Sequence, residues 1–417
     1  MTSKHTCEVL IVGGGPVGLV LANLLAQHGV EVVVLERRTG PRQYSRAIGL
    51  HPPALAVLGA IDLEDAALAE GVRVHSGSAY SRGRRLGSLS FERAWPERPF
   101  VLTLPQNRTE ALLAQRLAEL APDALHSGWQ VVEIFDHANS THSPTGPKVD
   151  VRARREIDPG EPVEATWHAD LVIGADGPRS IVRQTAGMSL NARPLPDAYI
   201  MGDFAQHHST AVPRHNDTTA AIFLASTGVV ESFPLPGNMR RWVAHTGTEL
   251  LPEAPRALTS LIAERTGEQV DPTTSTMMSA FTVRRRIAAQ MAAGRCLIIG
   301  DAAHEVSPIG GQGMTLGWLD AWHLAPLIVP LLAERTPAPL QHVKALQRFQ
   351  RIRLSAAQAV ARQAELNMAL GRPMHSQTAA FRDLTLRAVL ATGIRHRLAS
   401  AFSMRQPLGG LETHIPQ

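Results

Sequence analysis

The chain has 417 residues, 44% hydrophobic and 19% charged. This excludes a disordered or fibrous polymer and predicts a globular protein of two or three domains. Its formal net charge is +4, with basic residues scattered in short runs such as Arg284-Arg285-Arg286 and aromatics at only 5%. A nucleic-acid surface needs clustered cations interleaved with aromatics, so no nucleic-acid partner is expected. The two cysteines, Cys7 and Cys296, make neither a disulfide framework nor a zinc site. No metal is therefore expected, and a reducing cytoplasm is the default location. The N-terminus lacks a signal-peptide pattern, and no apolar stretch of about 18 residues is free of charge, glycine or proline, so no stable membrane insertion is expected.

Residues 9–12 read as a short buried strand, 16–27 as an apolar helix, and 30–35 as a second buried strand closed by Glu36. A β-α-β succession implies a parallel strand pair. Residues 82–100, rich in Gly, Ser and Pro, suggest strands and loops of another layer. Residues 106–120 are helical, with Leu112, Leu113, Ala114, Leu117 and Leu120 near one face. Residues 137–148 are polar and read as a surface loop, and residues 171–173 form a buried strand ending in Gly-Ala-Asp-Gly. Four short strand-like runs follow, 199–204, 220–224, 229–233 and 241–245, the signature of a separate antiparallel sheet. From Leu340 the chain is helical, interrupted at Pro373. One domain is expected to be assembled from segments 1–75, 101–182 and 283–335. A second would take 76–100 and 183–282, and C-terminal helices 336–417.

Gly13-Gly14-Gly15-Pro16-Val17-Gly18 places G-x-G-x-x-G between the first strand and helix. The first glycine makes the tight turn, the second lets backbone approach a pyrophosphate, and the third lets helix and strand pack. The helix N-terminus offers free N–H groups and a positive dipole end. Glu36, 23 residues after Gly13, stands where an acid should bind ribose hydroxyls. These features predict dinucleotide binding without choosing NAD or FAD. A second Gly-rich turn, IGDAAHEVSPIGGQGMTLGW from Ile299 to Trp318, favours FAD. NAD needs no such turn, whereas FAD has a ribityl chain and a ring to hold. Gly300-Asp301 ends a strand and suits the ribityl hydroxyls. The loop 308–314 leads into an apolar helix whose N-terminus can stabilise negative charge on a reduced ring.

At these residues the chain resembles the single-component FAD-dependent aromatic hydroxylases, the group A flavoprotein monooxygenases related to para-hydroxybenzoate hydroxylase. GGGPVG with Glu36, LVIGADGPRSIVRQ (residues 171–184) and GDAAHEVSPIGGQGM (residues 300–314) occur in that family's order, supported by SRAIGLHPPALAVL (45–58) and LPQNRTEALL (104–113). The resemblance implies an α/β fold: a Rossmann-type FAD-binding domain, a mostly antiparallel β substrate domain and a helical C-terminal region. It assigns the first turn, Gly13, Gly14, Gly15, Pro16, Val17 and Gly18, to the pyrophosphate. Glu36 takes the adenosine ribose with Arg37 beside it, and the Val131 backbone takes the adenine. Gln106 contacts the cofactor, and Asp176 sits in a turn serving FAD and the nicotinamide cofactor. Gly300 and Asp301 hold the ribityl chain. Pro308, Gly311, Gln312, Gly313, Met314 and Thr315 line the flavin, with Arg46 beside it. Arg46 and Pro308 are the residues expected nearest the chemistry. The chain departs from the family pattern at Thr315 and at His323, where Asn is usual.

The reaction this implies has two halves. NADPH or NADH reduces the flavin, and O2 then adds at C4a to give a hydroperoxide that hydroxylates an aromatic or polyketide-like molecule, with secondary metabolism as the expected setting. Epoxidation or Baeyer–Villiger oxygenation of a non-aromatic or polycyclic substrate by the same intermediate is the alternative. A flavin halogenase is disfavoured, because lysine occurs only at Lys4, Lys148 and Lys344 and no W-x-W-x-x-I segment is present. Substrate contacts are expected from the second sheet, with Tyr199, His208, Phe223 and Phe233 as candidates. Trp318 and Trp322, four apart on one helix, read as packing. The expected partners are a small aromatic or polycyclic substrate and, at most, a second copy of the chain, giving a monomer or homodimer.

Overall fold

The strand His5–Val12 lies at the middle of a parallel core in this structure, a computed structural model. It describes residues 5–40, 47–137, 149–157, 160–206, 218–334 and 339–405. His5–Val12 pairs in parallel with Val32–Glu36 on one side and Val163–Gly174 on the other. Leu125–Ser127 and Cys296–Ile298 extend the sheet outward, again in parallel. Val9, Leu10 and Ile11 are all buried. A strand covered on both faces must be a continuous apolar run, which is why this segment does not alternate. The helix Pro16–Gln27 packs against both Gln106–Leu120 and Gly313–Ala333. The helix bounds at 16–27 and 106–120 agree with the sequence reading.

Among the described residues a second sheet has eight strands. Its order is His304–Glu305, Met277–Ala288, Leu190–Ala205, Met239–His245, Gly228–Leu235, Thr219–Ala225, Ser76–Ser81 and Arg84–Ser90. All neighbours are antiparallel except Thr219–Ala225 and Ser76–Ser81, which run parallel. The four strand-like runs of the sequence all fall inside these strands, and the α/β class holds. Period-2 alternation gives the sheet two distinct faces. On one, Ile200, Phe204, Phe223, Val230 and Trp242 pack with Leu258 and Ile262 of the helix Pro255–Thr266. On the other, Tyr199, Met201, Val229 and Val243 form a cluster with Ile309 and Met368. The second face therefore looks onto the loop that follows Cys296–Ile298.

The helix Gly313–Ala333 is long and apolar enough to cross a membrane by length and composition alone. It carries Asp320 and the interior prolines Pro326 and Pro330, and its Trp318, Leu324 and Ile328 are buried in the main core. Trp322 is partly buried against the same core. After it the helices Lys344–Gly371, Ser376–Ala391 and Ile394–Phe402 follow, with Pro373 in the first break. The expected loop at 137–148 lies almost wholly outside the described residues.

Candidate active site

The first turn is shaped by steric necessity. Gly13 has φ +108°, and a Cβ there would stand 2.5 Å from the Ala175 carbonyl oxygen. A Cβ on Gly18 would stand 2.0 Å from the Gly13 oxygen, so helix and turn pack backbone to backbone. Gly15 differs: nothing lies within 4 Å of its Cβ position. The helix it opens has Pro16 at its start, no side-chain cap and no acid in the first turn, so its N–H groups face that open space unpaired.

Glu36 closes the turn from the end of its strand. Its Oε2 accepts from the Gly14 N–H at 2.8 Å, and its Oε1 accepts from Arg38 N and Nε, each at 2.9 Å. Burial alone would raise this carboxyl, but the Arg38 hydrogen bonds and charge and the Gly14 N–H hold it below the ordinary range. Arg38 continues to Glu110 at 3.1 Å, which accepts from Gln106 Nε2 at 2.8 Å. Arg37 is exposed, and Arg38 is the arginine on Glu36. Neighbouring arginines at a strand end point opposite ways, and the sequence did not distinguish them. Val131 is buried on the strand Trp129–Asp136, opposite Ala153 where the pairing shifts register.

Two further turns meet this one. Asp176 follows the strand Val163–Gly174; its Oδ2 accepts from the Ile181 N–H at 2.7 Å, while its buried Oδ1 has no partner. Burial raises it against those hydrogen bonds. Arg183 donates from Nη1 to the Ala302 carbonyl at 2.9 Å and from Nη2 to Pro178 at 3.1 Å, tying this turn to Gly300–Ala302. Gly300 has φ +59°, and Asp301 is exposed. The Val17 side chain packs on Gly300 and Gly317, so the first helix and the 300-turn share one seam.

Behind Gly300 lies a buried polar cluster. Asp320, with no exposed surface, accepts from His304 Nε2 at 2.5 Å, Arg353 Nε at 2.6 Å and the Gly300 N–H at 3.0 Å. Burial opposes its ionisation, but His304 and Arg353 outweigh that and hold it at about 2. The same carboxylate thus fixes a strand end, a turn and the helix Lys344–Gly371.

The loop 308–314 carries exposed Pro308 and Gly311 and half-buried Gly313 and Met314. The helix it opens, Gly313–Ala333, has no side-chain cap and no acid in its first turn. Thr315 is fully buried with Oγ1 unpartnered, and His323 two turns on has its Nε2 unpartnered. Burial lowers His323 to about 4. The Gln312 side chain turns away from the loop: Nε2 donates to the Phe402 and Ala401 carbonyls at 2.9 and 3.2 Å, leaving only its backbone toward a ligand. His51 was not singled out by sequence. It is buried, hydrogen-bonds the backbone of Gly310 and Gly311, and is lowered by burial to about 4. A neutral ring therefore pins this loop to the segment before Pro52.

Tyr199 and Phe233 lie on the sheet face shared with Ile309. Phe223 does not. It pairs with Val230, faces the helix Pro255–Thr266 and stacks on Tyr80 at 5.4 Å. Its candidacy as a substrate contact is withdrawn, because strand parity sends it to the wrong face. Arg46 and His208 lie outside the described residues. Among the described residues no group of three metal-ligating side chains is present.

Three turns converging on one seam, with uncapped helix N-termini, form a cradle for a long anionic cofactor. The FAD binding domain family matches residues 6–364. The chain belongs to that family. FAD fits the residues present: open space at Gly15, free N–H groups at both helix starts, and unpartnered oxygens on Asp176 and Thr315. The chain is similar to 6-methylpretetramide 4-monooxygenase from Streptomyces rimosus, 35% identical over 76% of this chain and 55% of that protein. It thus spans little more than half the length of that relative. Para-nitrophenol 4-monooxygenase from Pseudomonas sp. strain WBC-3 is 29% identical over 78% of each chain. The crystal structure of p-nitrophenol 4-monooxygenase from Pseudomonas putida DLL-E4 superposes with a TM-score of 0.81 over 98% of this chain and 99% of that one, at 22% identity.

Proposed function

We propose that the protein is an FAD-dependent monooxygenase of the cytoplasm that uses NAD(P)H and O2 to hydroxylate a small aromatic or polyketide-like molecule in secondary metabolism. The observation that carries this reading is the placement of the 308–314 loop over the apolar face of the antiparallel sheet, with Ile309 packed among Tyr199, Met201, Val229 and Val243. A cofactor ring against that loop borders a water-poor layer, which an oxygenation needs. The relatives support the substrate class, since their names describe monooxygenases of a pretetramide and of a nitrophenol.

FAD, when bound, supplies hydride acceptance from NAD(P)H and the activation of O2. The chain does the positioning. Gly13, Gly15 and Gly18 with the free N–H groups after Gly15 bind the pyrophosphate. Glu36, held by Arg38, orients the ribose, and Asp301 the ribityl chain. The uncapped helix start at Gly313 would offer a positive dipole end to negative charge on the reduced ring.

The test is purification, flavin analysis and a substrate screen. FAD should co-purify or bind on addition, and a phenol or polycyclic phenol should accelerate NAD(P)H oxidation. Oxygen-18 from O2 should appear in the product. A protein that binds no flavin, or whose product draws its oxygen from water, overturns the reading.

A further inference from the structure

One acidic side chain on the sheet face has no counterpart in the cradle. Glu231 sits on the strand Gly228–Leu235 between Val229 and Phe233 of the same face, opposite Val243 on one neighbour and Ile222 on the other. Val229 and Val243 belong to the cluster that includes Ile309 of the 308–314 loop. Glu231 is only 8% exposed and, among the described residues, receives no hydrogen bond or cation. The Tyr199 hydroxyl, on the same face, is also buried without a partner. Burial first, and then the Glu231 charge, push that phenol upward, so the two groups feel each other. A carboxylate kept in an apolar layer with no donor is costly, and native proteins rarely leave one so.

Among the described residues, charged groups around this layer are engaged with one another. Arg241 makes two bonds to Asp203, at 2.6 and 2.7 Å. Arg372 and His245 share Asp197. From the helices above, Arg382 pairs with Asp383, and Glu365 accepts from Arg285. On the loop side His51 is bound to Gly310 and Gly311. Glu231 and Tyr199 are left for a ligand.

We propose that Glu231 is the proton acceptor for a phenolic or enolic hydroxyl of the substrate, with Tyr199 donating to the same oxygen. This deepens, and rests on, the monooxygenase reading. In the step, the substrate O–H bond breaks, its proton moves to a Glu231 carboxylate oxygen, and its electron pair stays as phenolate, held by the Tyr199 O–H. The carboxylate becomes a carboxylic acid, so the buried layer carries one negative charge before and after. The phenolate is the more electron-rich ring, which is what an electrophilic oxygen requires. Burial raises Glu231 to about 7, which matches such a base to neutral pH.

The test compares wild-type holoenzyme with Glu231→Gln on two probes, 4-methylphenol, a weak acid, and 4-nitrophenol, which ionises unaided near neutrality. Flavin content and melting temperature check folding. The variant should lose on the order of a hundredfold in phenol-stimulated NAD(P)H oxidation with 4-methylphenol and only a few-fold with 4-nitrophenol. Its rate with 4-methylphenol should recover at alkaline pH, where the phenol ionises by itself. Tyr199→Phe should weaken both probes. Equal losses on the two phenols, or no loss on either, overturn the proposal and leave the monooxygenase reading intact. If Glu231→Gln does not fold, the wild type decides alone, since a rate with 4-methylphenol that does not rise through neutral pH overturns the proposal. If NAD(P)H never reduces the flavin, the monooxygenase reading falls and equilibrium binding decides. Tenfold weaker binding of 4-methylphenol to the variant supports the site, and equal binding refutes it.

Discussion

Two carboxylates are buried to similar depth in this molecule, in opposite company. Asp320, behind the Gly300 turn, has His304, Arg353 and a backbone N–H on its oxygens. Glu231, on the sheet face below the 308–314 loop, has none among the described residues. One is held at about 2, the other raised to about 7. The contrast is between a saturated acid and an unsaturated one. A saturated acid fixes geometry and has nothing left to offer a ligand. An unsaturated one destabilises the free protein and keeps its oxygens available to a ligand.

The largest expected effect tests the fastening. Asp320→Ala leaves Arg353 buried without its partner and should cost about 3–5 kcal/mol in chemical denaturation, with loss of bound FAD. A variant of wild-type stability would show that the cluster fastens nothing. Because Asp320 is held below its ordinary 3.8, its contribution should be complete above that pH and vanish only as pH falls through about 2.

Next in size is Glu231→Gln, with the opposite sign. The folded-state value of about 7 lies above the ordinary 4.5, so the native state binds more protons than the unfolded one between these values. Wild-type stability should therefore fall, relative to the variant, as pH rises through that window. The difference should grow from near zero at low pH to about 3 kcal/mol above pH 7. Urea titrations of both proteins at pH 4 and pH 8 check this, and a pH-independent difference would erase the contrast with Asp320.

Two partnered acids grade the scale. Glu36→Gln removes a half-buried charge held by Arg38 and Gly14 and should weaken FAD binding about tenfold, roughly 1.4 kcal/mol, measured by flavin fluorescence titration. Glu70→Gln breaks the solvent-exposed pair with Arg108 and should cost no more than about 1 kcal/mol, less at high salt. A larger loss there would mean that partnering, not burial, sets the scale.

Much of the cradle was legible because its determinants are local. Strand, G-x-G-x-x-G and helix lie within residues 9–27, and period and glycine placement announce them together. Glu36 was legible by spacing, whereas Arg38 was not, since the twist at a strand end decides which of two adjacent arginines turns inward. The faces of the antiparallel sheet were not legible. Phe223 and Phe233 look equivalent in sequence, and only the register of Phe223 on Val230 separates them. Glu231 resembles any polar residue on a half-exposed strand until the fold shows it buried among Val229, Val243 and Phe233. His51 gave no sign, because its contact with Gly310 and Gly311 joins segments far apart in the chain.

The parallel core also has a history in time. Its central strand, His5–Val12, is synthesised well before Val163–Gly174 and Cys296–Ile298. At about 5–20 residues per second, this strand waits roughly 8–30 s for its second neighbour, Val163–Gly174, and the sheet waits longer still for Cys296–Ile298. During that interval the apolar faces of Val9 to Ile11 and of the helix Pro16–Gln27 have no finished sheet to bury them. The nascent chain must be sheltered or kept dilute over this period. Yield of soluble protein should then respond to translation speed and chaperone supply more than to any single contact in the finished fold.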